Sequence, residues 1–350
     1  MKYNKIFGIA YAVLAAALYG VTAPASKFLL EKISPTFLAA LFYLGAAIGA
    51  GALILIRKDK SGKQVEASIN KSDFPYTLAM ILLDIAAPIL LMFGITKTTA
   101  ANASLLNNFE IVATALIAIF VFKENIDRKI WVGIGFITLS VIILSVENLS
   151  SFQFSVGSLL VIGAAICWGI ENNCTRMLSL RDPFQVVFIK GMGSGIGSLM
   201  IAFFMHEVSF QWLYILIALV IGFFSYGIGI SIYINAQRIL GAAKTSAYYA
   251  VAPFIGVTLS LIFFKTAITW NFSLGILLML IGTYFVTFNN HDHIHVHQTL
   301  EHDHRHTHND EHHNHTHDDL LEGEHSHIHV HEYLEHAHEH TEDLHHIHHK

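Results

Sequence analysis

Charged residues are scarce in this chain. They make up 13% of its 350 residues, whereas hydrophobic residues make up 53%. A typical soluble domain has about a quarter of its residues charged, so the composition argues against a soluble globular protein. Cysteine is rare as well: Cys167 and Cys174 are the two in the chain, and both fall in one apolar run. This excludes the disulfide framework on which small secreted domains depend.

Histidine is almost missing from residues 1–290, where His206 stands alone. The HExxH pattern of zinc proteases is not formed, because Phe210 stands where its second histidine would fall. No serine occupies the GxSxG turn of hydrolases. The glycine-rich stretches 45–51 and 191–197 lie inside apolar runs, which indicates close helix packing and not a nucleotide loop. We therefore expect neither an enzyme nor a nucleic-acid-binding protein.

Long apolar runs are what the sequence has in abundance between residues 6 and 288. Each run is about 17 to 25 residues long, the length at which a helix crosses the ~30 Å hydrocarbon core of a membrane. Ten runs predict ten transmembrane helices, at residues 6–30, 35–56, 75–96, 101–122, 130–146, 157–178, 184–205, 212–237, 243–264 and 269–288.

The distribution of lysine and arginine predicts how these helices are oriented. With the N-terminus inside, the segments on the inner side hold 14 lysine and arginine residues and those on the outer side hold three, Lys32, Lys97 and Lys265. This bias is the positive-inside pattern of membrane proteins. We expect a multi-pass protein of the plasma membrane with both termini in the cytoplasm.

The two halves of the chain resemble each other. Residues 103–123 align with residues 245–265, and smaller matches pair Gly20 with Gly169 and Lys27 with Arg176. Each half has five predicted helices, an odd number, so the second half must be inverted relative to the first. Inverted five-plus-five repeats are an architecture of secondary transporters, which hold their substrate near the membrane midplane between the halves. The predicted fold class is thus all-α and integral to the membrane.

At this point the chain resembles the EamA-like branch of the drug/metabolite transporter superfamily. The resemblance covers residues 6–288 and includes the opening "LYGVTAPASKF". Its most specific stretch is "IAIFVFKENIDRKIWVGIGFITLSVIIL", in which Glu124 stands where the family has an acidic residue at the cytoplasmic end of the fourth helix. The resemblance implies one five-helix repeat in residues 1–150, a second in residues 151–290, and efflux of a metabolite or amino acid.

Ionisable and polar residues inside the spans are the candidates for a solute site, because an ionisable group at the midplane costs about 3 kcal/mol. On the fourth predicted helix, Asn107, Glu110 and Thr114 recur on one face. The predicted central site comprises Asp84, Asn107, Glu110, Glu171, Asn172, Lys190 and Tyr248. An alternative is that the carboxylates pair with Lys27 or Lys190 and only lock the bundle together.

Residues 291–350 have an entirely different composition. They hold 23 of the 24 histidines, and their two basic and 14 acidic residues give a net charge of −12 with neutral histidine. The stretch 293–306 returns as 327–340. With few large apolar groups, this tail is predicted to be disordered. Imidazole binds zinc, nickel, cobalt and copper, so the tail's candidate metal ligands are His293, His295, His297, His302, His304, His306, His327, His329, His331, His336, His338 and His340. A polar tail that only titrates with pH is the alternative.

Three functions are compatible with these features. The favoured one is a metabolite exporter that works by alternating access and requires no cofactor. Its expected partners are the bilayer, a small solute and metal ions bound to the tail, and a homodimer is one possible state. The second is a divalent-metal exporter fed by the tail and lined by Cys167, Glu171, Cys174, Asp84 and Glu110. The third is a membrane-tethered metal sensor. The lack of histidine in the spans weighs against a metal pathway, because these metals usually take several nitrogen or sulfur ligands.

Overall fold

The computed structural model describes residues 2–61, 69–121, 128–148, 153–178, 181–240, 245, 248–265, 267–287, 294–297, 300–306, 325–331 and 334–337. Glu124 lies outside the described residues, as do His293, His338 and His340. Up to residue 287 the described chain is helical, apart from connecting turns and one short hairpin.

The first half of the chain folds as a series of helices whose ends follow from local sequence. Pro35 begins its helix at the first position, where the missing N–H of proline costs nothing. Thr99 caps its helix by accepting a hydrogen bond from the backbone of Asn102. The helices are α1 (Lys2–Gly20), α2 (Thr22–Leu29), α3 (Pro35–Ser61), α4 (Phe74–Lys97), α5 (Ala100–Asn107), α6 (Phe109–Phe120) and α7 (Arg128–Ser145).

A hairpin of β1 (Val146–Asn148) and β2 (Gln153–Phe154) leads into the second half. There, Pro183 again begins a helix, with Asp182 as its N-cap. A single π-helical turn, Phe223–Ile228, joins two of the helices into one continuous span. The helices are α8 (Val156–Met177), α9 (Pro183–Phe204), α10 (Trp212–Gly222), α11 (Gly229–Leu240), α12 (Ala252–Phe264) and α13 (Trp270–Thr287).

Seven helical segments of the described chain are long and apolar enough to cross a membrane. They are Ile6–Leu29, Pro35–Ile56, Lys71–Lys97, Arg128–Ser145, Val156–Thr175, Pro183–Phe204 and Trp212–Tyr233. The remaining three predicted spans are helical too but shorter, because the fourth is divided at Asn108 and the last two correspond to α12 and α13. The chain is therefore a multi-pass helical membrane protein, and helix length alone does not establish ten crossings.

The two halves pack on each other through corresponding helices. The second span of one half packs on the second span of the other, α3 on α9, and the last helices pair in the same way, α7 on α13. The first span of each half packs on the third and fourth spans of the other half, so α1 contacts α11 and α12 while α8 contacts α4 and α6. The core is thus built between the halves and not within each of them.

Close helix crossings depend on glycine. A Cβ on Gly191 in α9 would lie 2.8 Å from the backbone nitrogen of Ala47 in α3. A Cβ on Gly222 at the end of α10 would overlap the backbone oxygen of Phe42. Such contacts allow the helix backbones to approach one another directly, which is the usual role of small residues in membrane bundles.

Backbone pairing orders parts of the tail, in contrast to the predicted disorder. Strand β3 (Ile294–His297) pairs antiparallel with β6 (Leu334–Ala337), and β4 (Leu300–His306) pairs antiparallel with β5 (His325–His331). The prediction of a disordered tail is not confirmed for these four segments. The two duplicated stretches lie opposite each other in these pairs. In antiparallel pairing, the backbone N–H and C=O groups of one strand bond to those of the other.

We expect Gly222→Ala to lower the melting temperature of the detergent-solubilised protein, because the added methyl group has no room at the α3–α10 crossing. Overpacking of this kind costs about 1–3 kcal/mol. Gly135→Ala in α7 is the matched control, since nothing lies within 4 Å of its added Cβ. Equal melting temperatures for the two variants would contradict the packing described here.

Candidate functional site

An ion cluster lies where α4, α8 and α9 meet. The Lys190 Nζ atom is 3.0 Å from Asp84 Oδ2 and 3.0 Å from Glu171 Oε1. The side chains of Asp84 and Glu171 are 0% and 2% exposed, and that of Lys190 is 14% exposed. With all three groups ionised, the cluster carries one excess negative charge.

Neutral side chains also donate hydrogen bonds to these carboxylates. The Tyr43 hydroxyl donates to Asp84 Oδ1 at 2.8 Å, and the Thr175 hydroxyl donates to Glu171 Oε1. Pro88 lies one turn after Asp84 and has no N–H to donate to its carbonyl, which leaves that backbone oxygen available for other partners. Buried charges are tolerated only when they are paired and hydrogen-bonded, and this cluster meets both conditions.

Glu110 forms a second, separate acidic centre. It lies in the first turn of α6, immediately after the interruption at Asn108, where the helix dipole favours a negative charge. Asn172 Nδ2 donates to Glu110 Oε1 at 2.7 Å and to Thr114 Oγ1 at 3.3 Å. In the described part of the chain, Lys190 pairs with the other two carboxylates and Glu110 forms no ion pair.

Asn107 lies one turn before Glu110 and contacts a different helix. Its Nδ2 atom donates to the Tyr19 hydroxyl at 3.0 Å. Its Oδ1 atom is buried and has no hydrogen-bond partner among the residues that the structure describes. A buried amide oxygen without a partner is costly in a finished core, and it is what a site open to a donor group would present.

The fourth spans of both halves are interrupted at matching places. Asn108 separates α5 from α6, and residues 250–251 form a turn immediately before α12. In the alignment of the halves Asn108 falls on Ala250. Interrupted helices at corresponding positions of two repeats are typical of transporter sites, because the free helix ends can contact substrate.

Tyrosine rings form a continuous row beside these interruptions. The ring centroids of Tyr233 and Tyr249 are 4.8 Å apart, and those of Tyr249 and Tyr19 are 6.0 Å apart. The row continues from Tyr19 to Tyr226 at 5.9 Å and from Tyr226 to Tyr43 at 5.5 Å. Tyr226 belongs to the π-helical turn, and such turns are frequent at functional sites because the extra residue changes where side chains point.

Most of the predicted site residues lie in these two centres. Asp84, Glu171 and Lys190 form the ion cluster, and the others, Asn107, Glu110 and Asn172, line the second centre. Tyr248 is the exception. It is 37% exposed, and its neighbour Tyr249 joins the row of rings. Tyr19, Tyr43, Tyr226 and Tyr233 were not predicted, since no spacing in the sequence distinguishes them from packing residues.

Lys190 forms the ion pairs that the bundle-locking alternative requires, whereas Lys27 has other partners. Lys27 Nζ donates to the backbone oxygens of Ile95 at 2.6 Å and Thr98 at 2.8 Å, at the end of α4, and pairs with no carboxylate among the described residues. These carbonyls are exposed by the end of the helix, where a lysine interacts favourably with the dipole.

The geometry of a metal site is not found in the membrane helices. Among the described residues, no three histidine, cysteine, aspartate or glutamate side chains are grouped so that they could hold a metal ion. Cys167 and Cys174 are free and partly buried.

Comparison with known proteins defines the class of this helical membrane protein. The profile of the EamA-like transporter family matches residues 6–146 and again residues 155–288. The chain belongs to the EamA-like transporter family, and the two matches correspond to its two halves. The match ends before the histidine-rich tail.

Individual relatives support the same class. An uncharacterised transporter of Methanothermobacter thermautotrophicus is 26% identical, with 82% of this chain and 88% of the relative covered. The uncharacterised transporter YyaM of Bacillus subtilis is 22% identical, with 69% of this chain and 81% of the relative covered. A crystal structure superposes with a TM-score of 0.52 at 15% identity over 81% of this chain and 96% of the other, which shows a shared fold.

Lys190→Met should destabilise the folded protein by about 3–5 kcal/mol, because two buried carboxylates lose their common counter-ion. Thermal melting in detergent measures the effect. Combining Lys190→Met with Asp84→Asn and Glu171→Gln should recover most of the loss, since no charge of the ion cluster is then left unpaired. Lys32→Met, at an exposed position, is the control. If the triple variant melts no higher than Lys190→Met, the ion cluster is not what stabilises this region.

Proposed function

We propose that this protein is a secondary transporter that exports a small metabolite of amine or amino-acid-like chemistry across the plasma membrane. Its two halves would be inverted five-helix repeats, with α5 and α6 together forming one crossing and α12 and α13 forming two more. The exchange of corresponding helix contacts between the halves supports this arrangement, because a pseudo-two-fold axis generates matching pairs.

The observation that carries the proposal is the way in which the halves share the central charges. Asp84 and Glu110 belong to the first half and Glu171 and Lys190 to the second. The contacts of Lys190 with Asp84 and of Asn172 with Glu110 therefore span the interface between the halves. Any movement of one half against the other changes these distances, so solute binding and conformation are coupled at this place.

The two ends of the bundle carry contacts that would open in turn. At one end, Arg181 Nε is 2.8 Å from Asp73 Oδ2, which joins the start of α4 to the loop before α9. At the other end, Glu207 Oε2 accepts from the backbone nitrogen of Thr36 at 2.9 Å, which joins α3 to the loop after α9. Under the positive-inside orientation the first contact is cytoplasmic and the second faces outward. Both link the halves, as alternating access requires.

Uptake into inside-out vesicles tests the transport activity. We expect accumulation of at least one amine or amino acid, and no uptake of zinc or nickel above that of empty vesicles. Glu171→Gln and Glu110→Gln keep the shape of each side chain and remove its charge, so each should reduce uptake about tenfold or more. Glu31→Gln, at an exposed position outside the site, should leave uptake unchanged. Uptake of metal ions and of no organic solute would mean that the protein is a metal exporter.

We also propose that the tail binds transition-metal ions in the cytoplasm. The backbone register supports this role, because histidines of the first duplicated stretch are opposite histidines in or just before the second. The pairs are His295 with His336, His302 with His329, His304 with His327 and His306 with His325. Directly opposed residues on antiparallel strands are about 5 Å apart, which is close enough for two ligands to share one ion.

Deleting residues 291–350 should abolish most zinc and nickel binding while leaving solute uptake intact, because the membrane helices satisfy their own backbone hydrogen bonds. Binding by the full chain should be strong above about pH 7 and weaken below about pH 6, since protonated imidazole with a pKa near 6.5 is not a ligand. Isothermal titration with each metal at several pH values measures both effects. Loss of uptake in the truncated protein would show that the tail is part of the transport machinery.

A further inference from the structure

We propose that the central site selects an organic monocation without a carboxylate group, whose ammonium group lies between Glu110 and the rings of Tyr19 and Tyr249. This inference rests on the proposed transport function and narrows its substrate class. The chemical class includes primary amines and quaternary ammonium ions. Amino acids, which carry a carboxylate beside their ammonium group, are bound less well.

Charge balance is the first argument for a cation. The charge of Lys190 is already balanced, because its Nζ atom lies 3.0 Å from a carboxylate oxygen of Asp84 and 3.0 Å from one of Glu171. Glu110 has a neutral amide, Asn172, as its hydrogen-bond donor and no cation paired with it in the described part of the chain. A carboxylate buried in the bilayer is stabilised by a positive partner, and a solute can supply it.

The ring row is the second, independent argument. Tyr19 and Tyr249 are neighbours with an interplanar angle of 39°, so the two rings are tilted and not stacked in parallel. Tyr226 stands edge-on to Tyr19 at 69°. Asn107, one helical turn from Glu110, donates to the Tyr19 hydroxyl and ties the rings to the acidic centre. Aromatic faces grouped around a carboxylate bind ammonium groups through the quadrupole of the ring.

The unpartnered Oδ1 atom of Asn107 adds a place for a donor. A primary ammonium has three N–H groups, which Glu110 and this amide oxygen can accept together. A quaternary ammonium has none and depends on the rings and on Glu110. The site therefore accepts both kinds of cation, with different shares of hydrogen bonding and ring contact.

Exclusion of carboxylates follows from the ion cluster. A zwitterionic solute brings a negative group into a region that already holds Asp84, Glu110 and Glu171. Lys190 already faces two carboxylates with a single positive charge, so a carboxylate of the solute would add a third negative group beside one cation. The ion cluster therefore acts as a filter against anions and zwitterions.

Matched probes separate charge from shape. Choline, betaine and 3,3-dimethylbutanol have the same branched head. Choline is a cation, betaine is a zwitterion and 3,3-dimethylbutanol is uncharged. Tyramine and tyrosine form a second pair that differs only in the carboxylate. Binding is measured by the rise in melting temperature of the detergent-solubilised full chain at increasing probe concentration, and transport by uptake into inside-out vesicles.

We expect both cations to bind at least tenfold more tightly than betaine, tyrosine or 3,3-dimethylbutanol. Glu110→Gln should weaken choline binding at least tenfold, whereas Glu110→Asp, which keeps the charge, should retain part of the affinity. Tyr249→Phe keeps the ring and should bind normally, while Tyr249→Leu should lose about tenfold, the size expected for a desolvated cation–π contact. Glu31→Gln is the control, and the melting temperature of each variant without probe verifies its folding.

Each other outcome has a definite meaning. If betaine or tyrosine binds as well as its cationic partner, or if Glu110→Gln binds choline normally, the cation site is wrong while the transporter proposal stands. The same holds if neither cation binds and the vesicles still accumulate amino acids. If the vesicles accumulate no organic solute at all, the proposed function fails with it.

Discussion

The burial of Lys190 between two carboxylates is the constraint on which the rest of the structure depends. Removing one partner from a buried ion cluster leaves an uncompensated charge, so Asp84, Glu171 and Lys190 stabilise one another. Because Asp84 belongs to one half and Glu171 and Lys190 to the other, charge pairing holds the halves in register. The glycines at the crossings allow the helix backbones to come close enough for the side chains of the cluster to meet.

The interruption of the fourth spans gives the site its second feature. At Asn108 a single turn residue separates α5 from α6, which places Glu110 in the first turn of α6, one turn from the residue that contacts the row of tyrosines. An unbroken helix would satisfy its backbone internally and leave no dipole end near the centre. The ion cluster is thus closed and self-satisfied, and the Glu110 centre is the part of the site with unused capacity. A solute pocket at the Glu110 centre can therefore lie next to an ion cluster that has a structural role.

Much of this was predictable from the sequence, and the parts that were not have physical causes. Run length predicted membrane helices, and the cost of intramembrane charge identified Asp84, Glu110, Glu171 and Lys190 before their contacts were known. Which carboxylate pairs with Lys190 depends on helix packing, which sequence spacing does not encode. Tyr248 and Tyr249 are adjacent in the chain, and their order in the sequence does not encode which of the two joins the row of rings. The strand pairing in the tail was missed because composition alone argued for disorder.

Access to the centre from both sides of the membrane is the most direct test of a site shared by two moving halves. Asn107→Cys, in a background where Cys167 and Cys174 are replaced by alanine, places one thiol at the second centre. A membrane-impermeant maleimide is applied to right-side-out and to inside-out vesicles, and the labelled fraction is measured by mass spectrometry. We expect labelling from both sides, slowed by choline in each case. Labelling from one side only, under all conditions, would contradict alternating access at this site.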